Sequence, residues 1–510
     1  MKNGLLILII IFLQSCGIYA HSSGSETSKT IVLNPSSSIF NQIKISKRTY
    51  IIKDKFDLSG RKLVIPKNCI LTIEGGAIVN GTIEFNNTQI VAEPTPVFID
   101  INETLGTISN NEISVEWFNC KPGNDGSVNQ LSLNILVPLA LRSKSNIFFA
   151  SKGEYKVRAH FPVIRNMDNT SILDCHGITI HGCGEETIIR NVGCWYEGMY
   201  HVEDVFNIVN CKNLNISDLS VTADKYYSSP RFDENGNPMY PGTNAFSLIN
   251  FIENISIQNC KAYNMPTVWY YFSNIDYFYP DGGKGFTIQH ENGDELRNKG
   301  VHNVRFDNCT VENCASAFDV VISKNVKCEN VSWSNCMAKE CSYGVYIVNT
   351  KANDTADISF SKLHVEDCQI GVYGYIPIGL QISDSYFFSN SNERKYPEHL
   401  TDNYFIQLLS AYNCTLSNNH FVKGKDVTMY NALLLGQCGS SDIYTTEKVQ
   451  LIDNSFTGSF DGSVIKFSNP AKTNAIRFKN ITTRNNSITG SHKGRIVEVP
   501  NKIDRTFIYD

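Results

Sequence analysis

The sequence predicts an all-β fold in which short parallel strands stack into a solenoid, and three observations support this prediction. A short alternating run that ends in Asn-Cys recurs along the chain. Examples are "SIQNC" ending at Cys260, "VRFDNC" ending at Cys309 and "SWSNC" ending at Cys336. The flanking runs alternate apolar and polar residues with period two, which is typical of half-buried strands. The motif is constant while its period is irregular, which indicates one structural unit per repeat with insertions confined to loops.

The aligned Asn or Asp of each repeat is predicted to lie at a corner between two strands. Asn and Asp tolerate the left-handed backbone conformation that a tight bend requires, and their side chains can bond one another from coil to coil. We therefore interpret the recurring Asn-Cys as structural. The aligned column consists of Asp218, Asn259, Asn308, Asn335, Asp367, Asp384, Asn418, Asp453 and Asn485.

Sixteen cysteines invite a disulfide framework, but the chain is far longer than the small folds that depend on one. Cys260, Cys309, Cys336 and Cys368 are aligned at one position of the repeat. Side chains stacked at successive coils make poor disulfide partners, so we predict that these four are buried small apolar residues. The sequence contains no Cys-x-x-Cys pair, so a zinc site is not indicated.

The first 20 residues predict an export signal. Lys2 precedes an apolar run from Leu5 to Leu13 that is too short to span a membrane. "LQSC", ending at Cys16, resembles a bacterial lipobox, which would make Cys16 a lipidation site, while "GIYA", ending at Ala20, offers an ordinary cleavage site. The prediction is an exported protein of the periplasm or cell surface, anchored as an outer-membrane lipoprotein.

Three further segments follow the signal. Residues 21–44 are rich in Ser, Thr and Asn, and we predict a tether. Residues 45–115 contain short apolar runs separated by Gly-Gly and Asn-Gly, which predict a small N-terminal β module. Residues 116–510 are predicted to form the solenoid domain.

The repeat, the Asn column and the export signal resemble the right-handed parallel β-helix of the pectin-lyase-like superfamily, found in bacterial exported carbohydrate-active enzymes. Residues 115–157 resemble the opening of that superfamily, with "GNDG" before an amphipathic stretch and "SKGEY" after it. The resemblance implies a short helix that plugs the N-terminal end of the core. The chain departs from the pattern in lacking a Pro in "FFASKGEY" and in placing Pro138 within the helix. The predicted apolar face is Leu131, Ile135, Leu136, Leu139 and Leu141.

In that superfamily the ligand groove runs along one sheet and is walled by loops. The longest insertions here are residues 222–245 and 264–300, and the second carries seven aromatic residues between Trp269 and Tyr279. Aromatic faces bind sugar rings. We therefore expect Trp269 and Tyr271 to contact substrate, although these rings could equally pack a loop onto the solenoid.

After each insertion the chain re-enters one strand column, with Phe246, Phe286, Phe318, Val345 and Val372 predicted to point inward. Their neighbours would then point outward, beside the long loops. Asp319 is the only carboxylate of this outward set, and Gln289, His290, Lys284, Glu291 and Arg297 are close to it in the repeat or in the sequence. The outward set is Ser247, Thr287, Asp319, Tyr346 and Tyr373.

Two mechanisms fit such a site. For β-elimination of a uronic-acid polymer, a base removes the proton beside a carboxylate that a cation or amide neutralises. The base would be Lys284, His290, Arg297, Tyr346 or Tyr373, with Gln289 or Arg297 neutralising. For hydrolysis, two carboxylates flank the bond, and Asp319 with Glu291 or Asp281 could do so.

The paired Asp motifs and the Arg-x-Lys of polygalacturonases are absent from the sequence, which favours a polysaccharide lyase over a glycoside hydrolase. The catalytic candidates are Asp319, His290, Lys284, Arg297 and Tyr346. A third hypothesis is a non-catalytic glycan-binding protein or adhesin. The predicted substrate-binding residues are Trp269, Tyr271, Gln289, Glu291 and Tyr373.

The predicted partner is a pectin-like or glycosaminoglycan-like polysaccharide. A net charge of −5 argues against nucleic acid, which would require a surplus of Lys and Arg. No cofactor is indicated, although Ca²⁺ serves the neutralising role in several lyase families and would need clustered carboxylates. We expect a monomer.

Overall fold

The computed structural model shows the predicted all-β chain wound into a right-handed parallel β-helix, with a short capping helix and a small N-terminal sheet, which confirms the predicted fold class. The described residues are 29–158, 171–196, 199–201, 204–224, 231–232, 238–239, 243–272, 277–290, 299–322, 326–349, 356–391, 403–436, 445–468, 478–499 and 508–509.

Each coil of the solenoid contributes a strand to three parallel sheets, which we number in the order in which the chain visits them. One coil is Ser316–Ile322 in sheet 1, Cys328–Ser334 in sheet 2 and Met337–Lys339 in sheet 3. The next coil begins at Tyr343, directly over Ser316. Residues tens of positions apart therefore share one wall of the molecule.

Two long strands, Phe206–Ala223 and Phe246–Tyr263, pass through all three sheets. Sheet 1 then contains Lys284–Gln289, Ser316–Ile322, Tyr343–Asn349, Ile370–Tyr375, Tyr404–Leu409, Leu433–Gly436, Ile465–Phe467 and Val497–Glu498. Sheet 2 also contains Glu112–Ser114, Asn146–Phe148, Leu173–His181, Val301–Asp307, Cys328–Ser334, Ala356–Ser361, Leu380–Ser383, Tyr412–Ser417, Thr446–Ile452, Phe478–Lys479, Thr482–Arg484 and Ile508–Tyr509. Sheet 3 also contains Gly153–Val157, Thr187–Asn191, Thr310–Glu312, Met337–Lys339, His364–Glu366, Tyr386–Ser389, His420–Lys423, Ser455–Phe460 and Ser487–His492.

Outside the solenoid, three antiparallel pairs are Cys194–Tyr196 with Met199–His201, Arg231–Phe232 with Pro238–Met239, and Thr267–Phe272 with Tyr277–Gly282. The helices are Ile39–Gln42, the 3₁₀ turn Val115–Phe118, and Gly126–Ser143. The N-terminal strands are Thr30–Val32, Thr49–Ile52, Lys55–Asp57, Lys62–Val64, Ile70–Ile73, Ala77–Ala92 and Phe98–Ile108.

The core is a set of side chains stacked from coil to coil. The rings of Phe206, Phe246, Phe286 and Phe318 stack with centroid separations of 5.0, 4.7 and 5.9 Å. These separations are close to the spacing of neighbouring strands, so each coil places one ring on the ring before it. The predicted inward column from Phe246 to Val372 is in register throughout, which confirms that prediction.

The predicted corner residues adopt the expected conformation. All nine members of the aligned column have φ between 50° and 57°. Asn259 donates its amide to Asp218 at 2.9 Å, and Asn308 donates to Asn259 at 2.9 Å. The predicted ladder is therefore confirmed for these coils, whereas Asn335 donates to Asp307 instead, and later bonds join Asn418 to Asp384 and Asn485 to Asp453.

One member of that column was assigned to the wrong corner. Strand pairing places Lys362, not Asp367, above Asn335, and Lys362 itself has a φ of 52°. Asp367 continues the corner after sheet 3, where it follows Asn264, Asn313 and Glu340. The cysteines divide in the same way, because Cys260, Cys309 and Cys336 follow the first corner whereas Cys368 belongs with Cys314 and Cys341. All six thiols are buried.

Another ladder, which the sequence pattern did not reveal, runs along the sheet 2 strands, at a residue near the start of the sheet 2 segment of each coil. Asn213 bonds Asp174, and each later Asn bonds the one before it, at distances of 2.8 to 3.1 Å. The four Asn residues of this ladder also have positive φ. Further members are Asn254, Asn303 and Asn330.

The capping helix Gly126–Ser143 packs against Phe98–Ile108 and Gly153–Val157, at the N-terminal end of the solenoid. Asp125 caps it by accepting a hydrogen bond from the Ser127 N–H at 2.8 Å. Leu136 and Leu139 are buried as predicted, but Leu131 is 66% exposed, so its place in the apolar face was wrong. Leu133 and Val137 are buried instead, because the buried face is rotated from the predicted one.

The N-terminal module is itself a small stack of parallel strands, all of whose described pairings are parallel. Its paired region starts at Thr30–Val32, which is bonded to Thr49–Ile52. Leu33, Ile39 and Ile43 are buried against it. Residues 30–43, predicted as part of a tether, therefore pack on the module, whereas the start of that segment lies outside the described residues.

Candidate functional site

The outer face of sheet 1 carries a column of polar and aromatic side chains in strict register. Asn207, Ser247, Thr287, Asp319, Tyr346 and Tyr373 are directly paired from strand to strand. We call this set the outer column. The register is the predicted one, extended by Asn207 in the preceding coil.

Lys284 and Asp319 form a buried ion pair on this face. The Lys284 ammonium lies 2.8 Å from Asp319 Oδ2, and the two side chains are 3% and 0% exposed. The Ser316 hydroxyl donates to Asp319 Oδ1. A buried charge is costly unless it is paired, so the ammonium and the hydroxyl together compensate the burial of the carboxylate. The structure thus brings two predicted site residues into contact, but in a closed arrangement rather than on an open groove.

A second carboxylate, Asp204, joins the same network and was missed from the sequence. Its Oδ1 accepts the Asn244 N–H at 2.7 Å and its Oδ2 accepts the Ser247 hydroxyl at 2.6 Å. Burial raises the pKa of Asp204, against a lowering effect of these hydrogen bonds and of the Lys284 charge. Lys284 therefore interacts electrostatically with both carboxylates.

The sequence did hold a signal for Asp204. It precedes Phe206 by two residues, as Asn244 precedes Phe246 and Lys284 precedes Phe286. Extending this alignment of the sheet 1 strands by one coil towards the N-terminus would have placed Asp204 beside the site.

Two buried polar atoms of the outer column lack a partner among the described residues. They are the Thr287 hydroxyl and Asn207 Oδ1, and the Thr287 residue is 0% exposed. A buried polar group without a hydrogen bond costs about 1–3 kcal/mol, and such groups in native proteins call for an explanation such as a bound water or ligand. Both atoms lie in the same column as Asp319. This face therefore has hydrogen-bonding capacity that the described residues leave unused.

The tyrosines of the outer column stack on each other. The rings of Tyr346 and Tyr373 are 5.4 Å apart and nearly parallel, and Tyr343 lies 5.1 Å from Tyr346 at a tilt. Tyr346 is buried, whereas Tyr373 is half-buried. Because stacking occupies a face of each ring, we expect the exposed edges and hydroxyls to meet a ligand before the ring faces do.

Gln289 and His290 lie at the other end of the strand from Lys284. Gln289 is the last residue of Lys284–Gln289 and pairs with Val321, two residues beyond Asp319. His290 follows it and is 8% exposed. At about 3.3 Å per residue, Gln289 is about 7 Å along the sheet from Thr287, so both residues belong to the flank of the site.

The predicted aromatic insertion is divided in two by the strand Lys284–Gln289. Trp269 and Tyr271 belong to the antiparallel pair Thr267–Phe272 and Tyr277–Gly282, and their side chains lie outside the description. Arg297, Glu291 and Cys16 lie outside the described residues.

Gly283 joins this hairpin to Lys284. Its φ is 70°, and a Cβ there would clash with the Thr267 side chain, so glycine is strongly favoured. Its carbonyl accepts the Ala315 N–H at 2.7 Å. The glycine therefore fixes the entry of Lys284 into sheet 1.

Within the described ranges, no three His, Cys, Asp or Glu side chains converge as metal ligands. No helix in the same ranges combines the length and the apolarity needed to cross a membrane.

Comparison with known proteins gives weak likenesses only. No protein-family model matches the chain, and no curated protein does. Among solved structures, the A-module of the mannuronan C-5 epimerase AlgE4 of Azotobacter vinelandii is 12% identical, with a TM-score of 0.41 over 76% of this chain and 98% of that one.

Two other solved structures give similar values. The adhesin PfbA of Streptococcus pneumoniae is 12% identical, with a TM-score of 0.38 over 78% of this chain and 100% of that one. A GH87 α-1,3-glucanase of Streptomyces thermodiastaticus is 12% identical, with a TM-score of 0.38 over 77% of this chain and 69% of that one. The fold assignment rests on the strand pairing above, and these values carry no functional assignment.

Proposed function

We propose that this chain is an exported carbohydrate-active enzyme that hydrolyses a polysaccharide on the outer face of sheet 1. The observation that carries the proposal is the network in which Lys284 interacts with both Asp204 and Asp319. Glycoside hydrolysis requires one carboxyl group that donates a proton and one carboxylate that accepts a proton or attacks the sugar. Two carboxyl groups in different environments fit those two roles.

Asp204 is the proposed general acid. Burial raises its pKa, which favours the protonated form needed to protonate the leaving oxygen. Asp319 is the proposed general base. The ammonium of Lys284 and the hydroxyl of Ser316 contact this carboxylate and fix its position. The positive charge of Lys284 acts on both carboxyl groups, through the ion pair with Asp319 and through its electrostatic effect on Asp204. Because Asp319 is 0% exposed, a polysaccharide must displace the groups that cover it before cleavage.

A second candidate, β-elimination of a uronic-acid polymer, draws support from Tyr346. This phenol is in register with Asp319 on the next strand and is buried, so it could serve as the base. Lys284 or Gln289 would then neutralise the uronate. The candidate bases His290 and Arg297 and a calcium ion remain predictions.

The decisive experiment incubates the purified protein with a panel of neutral and acidic polysaccharides. New reducing ends without ultraviolet absorbance of an unsaturated sugar support hydrolysis, and both signals together support elimination. Retained binding without either signal would indicate a glycan-binding protein or adhesin. Asp319→Asn should abolish hydrolysis, whereas Tyr346→Phe should abolish only elimination.

We also propose that Cys16 is lipidated and anchors the protein to the outer membrane, on the strength of "LQSC" in the sequence. In a bacterial host, the wild-type chain should appear in the membrane fraction. Cys16→Ser should shift it to the soluble fraction, and equal membrane recovery of both would contradict the anchor.

A further inference from the structure

We infer that Thr287 positions the water molecule that attacks the sugar, together with Asp319. This inference rests on the proposed hydrolytic function and adds a residue and a stereochemical outcome to it.

The hydroxyls near the two carboxylates divide into two groups. Ser247 donates to Asp204 at 2.6 Å, and Ser316 donates to Asp319, so both have carboxylate partners already. Thr287 is fully buried, and its hydroxyl has no partner among the described residues. Of these three hydroxyls, that of Thr287 can therefore bind a water without breaking a hydrogen bond to a carboxylate.

Thr287 also lies between the two carboxylates in coil order. In the outer column it pairs with Ser247, which holds Asp204, on one side and with Asp319 on the other. Paired residues of neighbouring strands are about 4.8 Å apart, a separation that one bridging water spans. A carboxylate offers about four lone-pair sites, and the two known contacts of Asp319 leave capacity for a water.

The chemistry balances with water as the only co-reactant. The oxygen of the water forms a bond to the anomeric carbon while one of its protons passes to Asp319. The bond from that carbon to the leaving oxygen breaks, and the leaving oxygen takes the proton of Asp204. Because the water displaces the leaving oxygen directly, without a covalent glycosyl-enzyme intermediate, the product anomer is inverted.

The test compares Thr287→Val, which removes the hydroxyl at nearly constant shape, with Thr287→Ser, which keeps it. We expect Thr287→Val to lower kcat about 10- to 100-fold, as for a misplaced reacting group, with KM within about threefold of wild type. Thr287→Ser should stay within about threefold of wild-type kcat. Proton NMR of the first product formed by wild type should show the inverted anomer.

The melting temperature of Thr287→Val distinguishes a role in positioning water from a role in stabilising the fold. Valine replaces a buried unpaired hydroxyl with a methyl group, so Thr287→Val should melt no lower than wild type. A lower melting temperature, unchanged kcat or a retained anomer would each overturn the role of Thr287 and leave hydrolysis standing. A wild-type protein that hydrolyses no glycan in the panel would overturn the proposed function and this inference together.

Discussion

Two regions of this solenoid are rich in polar side chains, and they use them in opposite ways. At the corner between sheets 2 and 3, Asn or Asp returns in most coils, and several neighbouring side chains satisfy one another, as Asn308 does with Asn259. On the outer face of sheet 1, the side chains change with every coil, from Ser247 to Thr287 to Asp319. The corner is exposed for most of its length, whereas the face is largely buried and carries an ion pair.

The comparison shows where function can be sought in a repeat protein. A polar residue that recurs at every coil is explained by the backbone it supports, because each corner needs a residue that tolerates positive φ. A buried charge that occurs once has no such explanation, since burial alone would disfavour it. A break in the repeat is therefore the place where we look for function.

The largest expected effect is on catalysis at the face. Asp319→Asn keeps the shape of the side chain but removes the base, and we expect kcat to fall by a factor of about 100 or more. Asn308→Gly, at the corner, should leave kcat unchanged. Reducing-end assays on both variants test the contrast, and full activity of Asp319→Asn would remove the site assignment.

The next effect is on stability at the same face. Leaving one charge of a buried pair without its partner costs roughly 3–5 kcal/mol, so Asp319→Leu should lower the free energy of unfolding strongly. The double variant Lys284→Met with Asp319→Leu should recover most of that loss because neither charge remains. Denaturant titrations measure the coupling. Equal losses in the single and double variants would contradict a buried pair.

A smaller effect is expected at the corner. Asn308→Ala should destabilise the protein by about 1–2 kcal/mol, because alanine at positive φ is strained. Asn308→Gly is the matched control, since it tolerates the conformation but lacks the amide. The difference between the two variants isolates the backbone strain from the hydrogen bond to Asn259. Identical unfolding midpoints for both would mean that strain is not what selects Asn there.

The smallest effect concerns the pH dependence at Asp204. Its pKa in the folded chain is raised by burial, so the folded state binds the proton more tightly than the unfolded one. Stability from this group is present below the unfolded value of about 3.9 and is lost as pH rises through the raised folded pKa. Asp204→Asn should therefore flatten the fall of the unfolding midpoint with rising pH. A steeper fall in the variant would reverse the sign of the argument.

The sequence predicted the stacking of coils and the inward and outward order of sheet 1 because both follow from local periodicity. It misplaced Asp367 for a specific reason. Asn-Cys occurs at both ends of the short sheet 3 strand, at Asn308 and again at Asn313, so the motif alone does not distinguish the two corners. Only the hydrogen-bonded register assigns Asp367 to the second one.

By itself, the sequence determined the β-helix, the left-handed corners and the presence of Lys284 and Asp319 on one region of the chain. The tertiary structure decided that the charge of Lys284 acts on Asp204, for which the sequence held only the alignment signal, and that Asp319 is closed off from solvent. The reason is physical. Periodicity fixes which way a side chain points from its own strand, whereas its partners and its burial depend on how loops of unequal length bring different coils into register.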